Sequence, residues 1–475
     1  VTNAVQIPAS APDPTEAALE LARRVRGPVL LPGDEGFAAE CAGFQTGVRQ
    51  EPAVVVGAAQ AADVQAAVAF AAARGLPVGV RATGHGLPEA ARGGLLIGTR
   101  RMDTVRVDPA ARTAWFAAGA RWERVVPEAA RHGLAPLNGS APQVGAVSYT
   151  LGGGLGLLSR QYGYAADHVR SIDLVTADGR LRTVTAAGDP ELFWGLRGGA
   201  AALGVVTGME VELFPVERIY GGGLMFDTDL VDDLLETYLR WTETVPEQLT
   251  SSLGLVPMPD VPAVPKALRG RFVAHVRIAY TGDPADGERL VAPLRAVGPR
   301  LTDRLGDMPY RESGRIYSDP TTPHSYRGDN ALLGELDAQR LRTVVELAGP
   351  GSALPNVIQV RHLGGALGRP PAEPNAVGHR GARYLLSVLG MPREGGVEEL
   401  RAVQRRAFEA VAPVTLGRSL NFLYAQGNAD RDTTARGSAV RGVYEPADLE
   451  RLARLKAALD PTDLFRHNYR VIATS

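Results

Sequence analysis

The 475-residue sequence predicts an α+β fold in two unequal parts. Three observations carry that prediction. Short apolar strand-like runs interleave with helical faces through the first half. The texture changes around Pro215–Gly223. Beyond that point, over about two hundred residues, alternating strands and helices separated by Pro-rich loops read as an antiparallel sheet covered by helices.

The elements follow in order. Glu16–Val25 reads as a helix within a leader, followed by a loop at Leu31-Pro32-Gly33-Asp34. Pro52–Gly57 is a short apolar strand. Ala62–Arg74 places Val64, Ala67, Val68 and Ala71 on one helix face, and Gly75 and Pro77 stop it. Pro77–Thr83 alternates as a strand and runs into Gly84-His85-Gly86. Leu95–Gly98, Val105–Val107 and Thr113–Gly119 are further strands, and Trp122–His132 is a helix closed by Gly133. From Asn138 to Gly163 glycine is too dense for a regular strand or helix. Asp178-Gly179 between Ser171–Thr176 and Leu181–Thr185 signals a hairpin. Pro190–Leu196 reads as a short helix and Gly204–Leu213 as a strand. In the second half the strands are Arg271–Tyr280, Asn356–Val360 and Ala382–Leu389. The helices are Val231–Thr244, Asp286–Val297, Asp337–Leu347 and Val397–Val411. A last helix follows Glu445, opened by Pro446 and closed by Asp460-Pro461.

Composition excludes several classes. Hydrophobic content of 45% with 22% charged residues is that of a soluble globular chain, not a disordered or fibrous one. Lys+Arg of 51 against Asp+Glu of 52 leaves no basic excess for nucleic acid or anionic membrane. Cys41 is the only cysteine, so neither an intramolecular disulfide nor a multi-cysteine metal site is available. The eight histidines are dispersed, so no metal is expected. Val1–Pro28 has no apolar core of signal-peptide length, and no window reaches the ~18 apolar residues of a membrane span. A cytoplasmic location is expected.

Five segments could carry chemistry. In Arg81-Ala82-Thr83-Gly84-His85-Gly86, glycines flank a histidine at the end of a strand. Glycine permits positive φ and close approach of a planar ligand. On these residues alone the histidine is either a ligand group or an exposed or capping residue. Asn138-Gly139-Ser140-Ala141-Pro142-Gln143-Val144-Gly145 precedes Leu151-Gly152-Gly153-Gly154-Leu155-Gly156. Such a loop offers backbone N–H groups to an anion such as a pyrophosphate, or else packs as a tight turn. It is neither a Rossmann fingerprint nor a Walker A loop. The remaining three are Trp194–Thr207, Arg361-His362-Leu363-Gly364-Gly365-Ala366 and Asp460–Asn468.

Together, in this order and spacing, they resemble an FAD-linked oxidase of the berberine-bridge-enzyme-like group, in the vanillyl-alcohol-oxidase / p-cresol-methylhydroxylase flavoprotein superfamily. The resemblance runs from about Pro52 to Asn468. It rests on "R-x-G-G-H" at Arg81–His85, "V-G-x-x-x-x-L-G-G-G-x-G" at Val144–Gly156 and "L-R-G-G-x-x-x-x-G-V-V-T" at Leu196–Thr207. "H-L-G-G-A" and the terminal "D-P-x-N-x-F-x-x-N" recur as well. It implies a two-lobed FAD-binding domain from the N-terminal half and C-terminal tail, with an inserted substrate domain. The expected divisions are 1–218, 219–420 and 421–475. It implies covalent FAD at His85, a reaction that a neutral imidazole can perform as nucleophile. Cofactor contacts are implied for Arg81, Thr83, Gly84, His85 and Gly86, and for Ser140, Ala141, Val144 and Gly145. They extend to Leu151, Gly152, Gly153, Gly154 and Gly156. Gly204 and Val206 would lie toward the adenine, and Asn468 at the isoalloxazine.

The sequence also departs from the family pattern. Where many members carry a second, cysteinyl tether stands Ala141, so attachment through His85 alone is expected. The tyrosine that often serves as base, two residues before the asparagine of "Y-x-N-F", is replaced by Ser419, a poor base. Ala202 and Ala200-Ala201 replace a usual asparagine and glycines, and Arg470 follows Asn468-Tyr469. Candidate bases are then Tyr310, Tyr326, His379 and Tyr424. A tyrosine would need a cation such as Arg327 or Arg380 beside it. The favoured expectation is an oxidase acting on a small, natural-product-like molecule with dioxygen as electron acceptor. The alternatives are a flavin-dependent oxygenase or cyclase, and a non-catalytic metabolite binder.

Overall fold

A computed structural model describes residues 14–87, 92–199, 202–262, 264–352, 354–425, 440 and 442–467. Three sheets organise these residues. The first has four short strands in the order Val29–Leu30, Val54–Gly57, Leu95–Gly98, Val78–Arg81, and its last two pairings are parallel. The second is antiparallel, in the order Val105–Asp108, Thr113–Ala117, Val205–Glu212, Val169–Val175, Leu181–Val184. The third is a nine-stranded antiparallel sheet. Its long strands run in the order Arg218–Asp227, Phe272–Tyr280, Leu249–Pro257, Val357–His362, Tyr384–Gly390, Arg327–Leu333.

Local chemistry explains the elements. The Ala-rich helix Ala61–Ala73 packs Val64, Val68 and Phe70 on the first sheet. Asp63 at its start accepts backbone N–H bonds from Arg26, Gly27 and Ala59, each 3.0 Å. These bonds hold its carboxyl below the usual range although burial opposes this. Asp189 caps Pro190–Leu196 by accepting from Leu192 N at 3.1 Å. The predicted hairpin forms, with Gly179 at φ 75°. Leu224, Phe226, Val276 and Leu386 pack one face of the large sheet under the helices Val231–Thr242, Pro284–Arg295, Ala338–Ala348 and Val397–Glu409. The opposite face carries Ser252, Arg277 and Arg361 in one cross-strand row.

The C-terminal helix Pro446–Leu459 returns to the N-terminal half. Arg451 pairs with Glu191 and lies 3.9 Å over the Trp194 ring. Farther along, the Leu464 carbonyl accepts Val78 N at 2.7 Å. The architecture is thus the expected α+β one, with the C-terminal helix packed on the N-terminal half and a helix-covered antiparallel sheet. No helix among the described residues is long and apolar enough to cross a membrane.

Two local expectations are corrected. The glycine-rich stretch holds helices at Ala146–Leu151 and Ser159–Tyr162, because the six residues between Gly145 and Gly152 have room for one and a half helical turns. The texture change at Pro215–Gly223 conceals the strand Arg218–Asp227. Its Gly223 is required where the His275 ring of the neighbouring strand comes within 2.2 Å of a would-be Cβ.

Candidate active site

The strand Val78–Arg81 ends in a turn that presents His85. Gly84 takes φ 73°, and a Cβ there would meet the Gly43 backbone at 2.7 Å. Gly86 opens onto free space. The His85 ring is fixed on two sides. Its Nδ1 is 2.8 Å from Thr83 Oγ1, and Phe44 stacks on it with centroids 4.0 Å apart. Its Nε2 is buried with no partner among the described residues. Burial, reinforced by the charges of Arg121 and His324, pushes its pKa down to about 4. The imidazole is therefore neutral at pH 7, and its Nε2 makes no hydrogen bond among the described residues. These features fit a planar cofactor held at this turn.

The glycine loop forms the adjoining floor. Ser140 Oγ donates to Asp319 Oδ2 at 2.6 Å, joining the floor to the loop above it. The Ala141 carbonyl accepts Val144 N at 3.2 Å, and Gly145 precedes the helix Ala146–Leu151. Gly152 closes that helix so tightly that a Cβ would lie 1.8 Å from Asn421 Oδ1. Asn421 Nδ2 donates to the Tyr149 carbonyl at 2.8 Å. Gly153 and Gly154 have φ of 108° and 76°. At Gly156 a Cβ would lie 2.1 Å from the Asn138 carbonyl oxygen. At Gly204 a Cβ would lie 2.9 Å from the Val175 carbonyl oxygen, and Val206 is buried in the five-stranded sheet. Arg81 is buried at the end of its strand, with two guanidinium nitrogens unpartnered among the described residues. Asn468 lies outside the described residues.

The four candidate bases divide. Tyr326 donates to the His85 carbonyl at 2.7 Å, and Tyr424 meets it edge-on, with centroids 5.5 Å apart. Both therefore stand over the His85 turn. Tyr310 is buried in the core, where its hydroxyl donates to Asn138 Oδ1 at 2.7 Å and burial raises its pKa. His379 adopts φ 55° and pairs with Glu445 at 3.0 Å, at the seam with the C-terminal helix. The cations also differ from expectation. Arg380 is engaged by Asp167 at 2.6 Å, and Arg327 donates to the Ala425 carbonyl. The positive charge acting on Tyr424 is Arg361.

Sequence reasoning missed two arginines on the open face of the large sheet. Arg277 and Arg361 lie 4.7 and 5.0 Å from the centroid of the same ring, Tyr317. The signal was present: His275 and Arg277 interrupt an otherwise apolar strand at alternate positions, so both point to one face. Phe44, Tyr149 and Asp319 were missed because only the fold brings them to the turn.

Residues 52–185 match a family model described as an FAD binding domain. The (R)-6-hydroxynicotine oxidase of Paenarthrobacter nicotinovorans is 28% identical, covering 94% of this chain and 97% of that protein. The chitooligosaccharide oxidase of Gibberella zeae is 24% identical, covering 96% of this chain and 94% of its own length. Among solved structures, Physcomitrella patens BBE-like 1 superposes with a TM-score of 0.81 at 19% identity, over 97% of this chain and 99% of that one.

Proposed function

We propose that this chain is an FAD-dependent oxidase carrying FAD on a single histidyl tether at His85, a reading supported by the FAD binding domain match and by the oxidases it is similar to over nearly its whole length. The observation that carries the proposal is the neutral, clamped imidazole with its unpartnered Nε2. Ala141 leaves no cysteine for a second tether. Bound FAD would supply a two-electron acceptor that dioxygen reoxidises. The chain's own residues hold and shape the site. Thr83 and Phe44 fix the His85 ring, and the glycines from Gly152 to Gly156 let the loop pack closely on Asn421, Ala165 and Asn138, in the segment proposed to offer backbone N–H groups to the cofactor's phosphates. Arg81, Ser140, Val144, Gly145, Leu151, Gly204, Val206 and Asn468 complete the proposed cofactor set. Tyr326 and Tyr424 bound the space above it, and Tyr424 is the proposed proton acceptor. The substrate is proposed to be a small natural-product-like molecule. The divisions at 219 and 421, and the cytoplasmic location, stand as proposals too.

Acid precipitation of the purified protein tests the tether. Yellow colour should stay in the pellet, and His85→Ala should release it to the supernatant. Free flavin from the unaltered protein would refute the tether. A second reading, oxygenation or cyclisation, is favoured by Ser419 standing where the usual base would be. Label from ¹⁸O₂ appearing in the product would identify oxygenation.

A further inference from the structure

The open face of the large sheet holds two arginines, Arg277 and Arg361, that form no ion pair among the described residues. Arg277 and Arg361 flank Ser252, which pairs with each of them across adjacent strands. Both guanidiniums converge on Tyr317. Arg361 Nη1 donates to the Tyr317 hydroxyl at 3.0 Å, and Ser252 Oγ lies 2.7 Å from the same oxygen. Arg277 is 7% exposed, yet its Nε and Nη1 are buried with no partner among the described residues. Arg361 Nε is in the same condition. The strand beside Arg277 makes room for its head: a Cβ on Gly254 would lie 2.5 Å from Nη1.

A buried guanidinium without an anion is unfavourable, and two close together are more so. Asp319 exerts some attraction on Arg277, but its Oδ2 is held by Ser140 and it forms no ion pair with either arginine. The pair faces the floor of the site. The Arg361 guanidinium lies 4.9 Å from the centroid of the Phe422 ring, next to Asn421. The Tyr149 hydroxyl on the floor is also buried with no partner among the described residues, and it feels the Arg361 charge. Planar forks from two strands suit a planar anion better than a point charge.

We propose that the substrate is a carboxylic acid, and that Arg277 and Arg361 clamp its carboxylate against the sheet while the rest of the molecule extends over the His85 turn. This rests on the reading of the space over the His85 turn as the substrate chamber above the flavin.

Calorimetric titration of the purified holoprotein tests it with acetate, benzoate and 2-naphthoate, each beside its neutral amide. At least one acid should bind about tenfold or more tightly than its amide. Arg277→Gln should bring that ratio to within about threefold without weakening the amide. Arg361→Gln, at a less buried position, should act in the same direction should the first variant fail to fold. The proposal is overturned if no acid outbinds its amide in the unaltered protein. It is also overturned if the preference survives both substitutions, or if they shift the flavin band and leave the preference intact, since the arginines would then serve the cofactor. The visible spectrum of the same samples keeps the two readings apart. Yellow protein without the preference sinks the clamp alone, and colourless protein that retains it sinks the flavin reading while supporting the anion site.

Discussion

At Tyr424, burial and a cation pull one phenol in opposite directions. Burial dominates and raises its pKa to about 12, while Arg361 lowers it and Asp319 raises it. A reaction that passes its proton to Tyr424 needs the phenolate, which becomes more abundant as pH rises. The rate should therefore climb by about tenfold per pH unit through pH 10, and Tyr424→Phe should flatten the profile and lower kcat/KM by about 10²-fold or more. A flat profile in the unaltered protein would remove Tyr424 from the chemistry. Tyr310 has the opposite character. Tyr310→Phe strands the buried Asn138 Oδ1, which should cost about 1–3 kcal/mol in urea unfolding while leaving kcat within about threefold. His85 was legible in the sequence because glycines on both sides of a histidine are unusual at a strand end. Which tyrosines reach it was not legible, because Tyr326 and Tyr424 approach through a sheet pairing, between Gly328 and Tyr424, that no local pattern announces.

At the scale of elements, glycine acts both as a spacer and as a disguise. Between Asn138 and Gly163 its density concealed the helix Ala146–Leu151, and in Arg218–Asp227 three consecutive glycines concealed a strand. Each of those strand glycines answers a neighbour from elsewhere in the fold: Ile316 at Gly221, the Arg304 carbonyl at Gly222, His275 at Gly223. Tertiary packing decides such positions, so propensity misreads them. The strands with a clean β-branched alternation and the helices with aspartate caps were legible to within a few residues. The glycine loop yields a sharp prediction. Gly156→Ala would place a methyl 2.1 Å from the Asn138 backbone oxygen, which cannot swing away as a side chain would. It should cost about 1–3 kcal/mol and lower flavin content. Gly86→Ala meets nothing within 4 Å and should retain flavin, which separates crowding from a general intolerance of substitution in the turn. Flavin-to-protein absorbance ratios read both outcomes.

Across the whole molecule, the tail and the buried histidines tie stability to closure of the lobes. The helix Pro446–Leu459 places Leu452 and Leu455 against Gly195, and Lys456 is buried in a pair with Asp460. Asp460 in turn accepts Leu464 N and Phe465 N, which carries the chain to Val78 at the start of the strand leading to His85. A chain ending at residue 445 loses this whole path and should lose flavin even though the large sheet is untouched. Retained flavin would show the tail to be dispensable. Acid should act through the sheet instead. His275 and His362 are each 8% exposed, and burial lowers both pKa values, that of His362 to about 3. The unfolded chain protonates them near its ordinary pKa of about 6.5, so it gains protons that the folded chain refuses. Their contribution to stability is therefore full above pH 6.5 and is lost progressively as pH falls from there toward 3. Carboxylates lose stability over part of the same range, so the comparison with a variant is what isolates the histidine. His362→Gln removes one of these protons while keeping a polar side chain. Its urea midpoint should fall less than that of the unaltered protein between pH 7 and pH 4. Parallel decline in the two proteins would mean that His362 is protonated in the folded state and that burial does not hold it neutral.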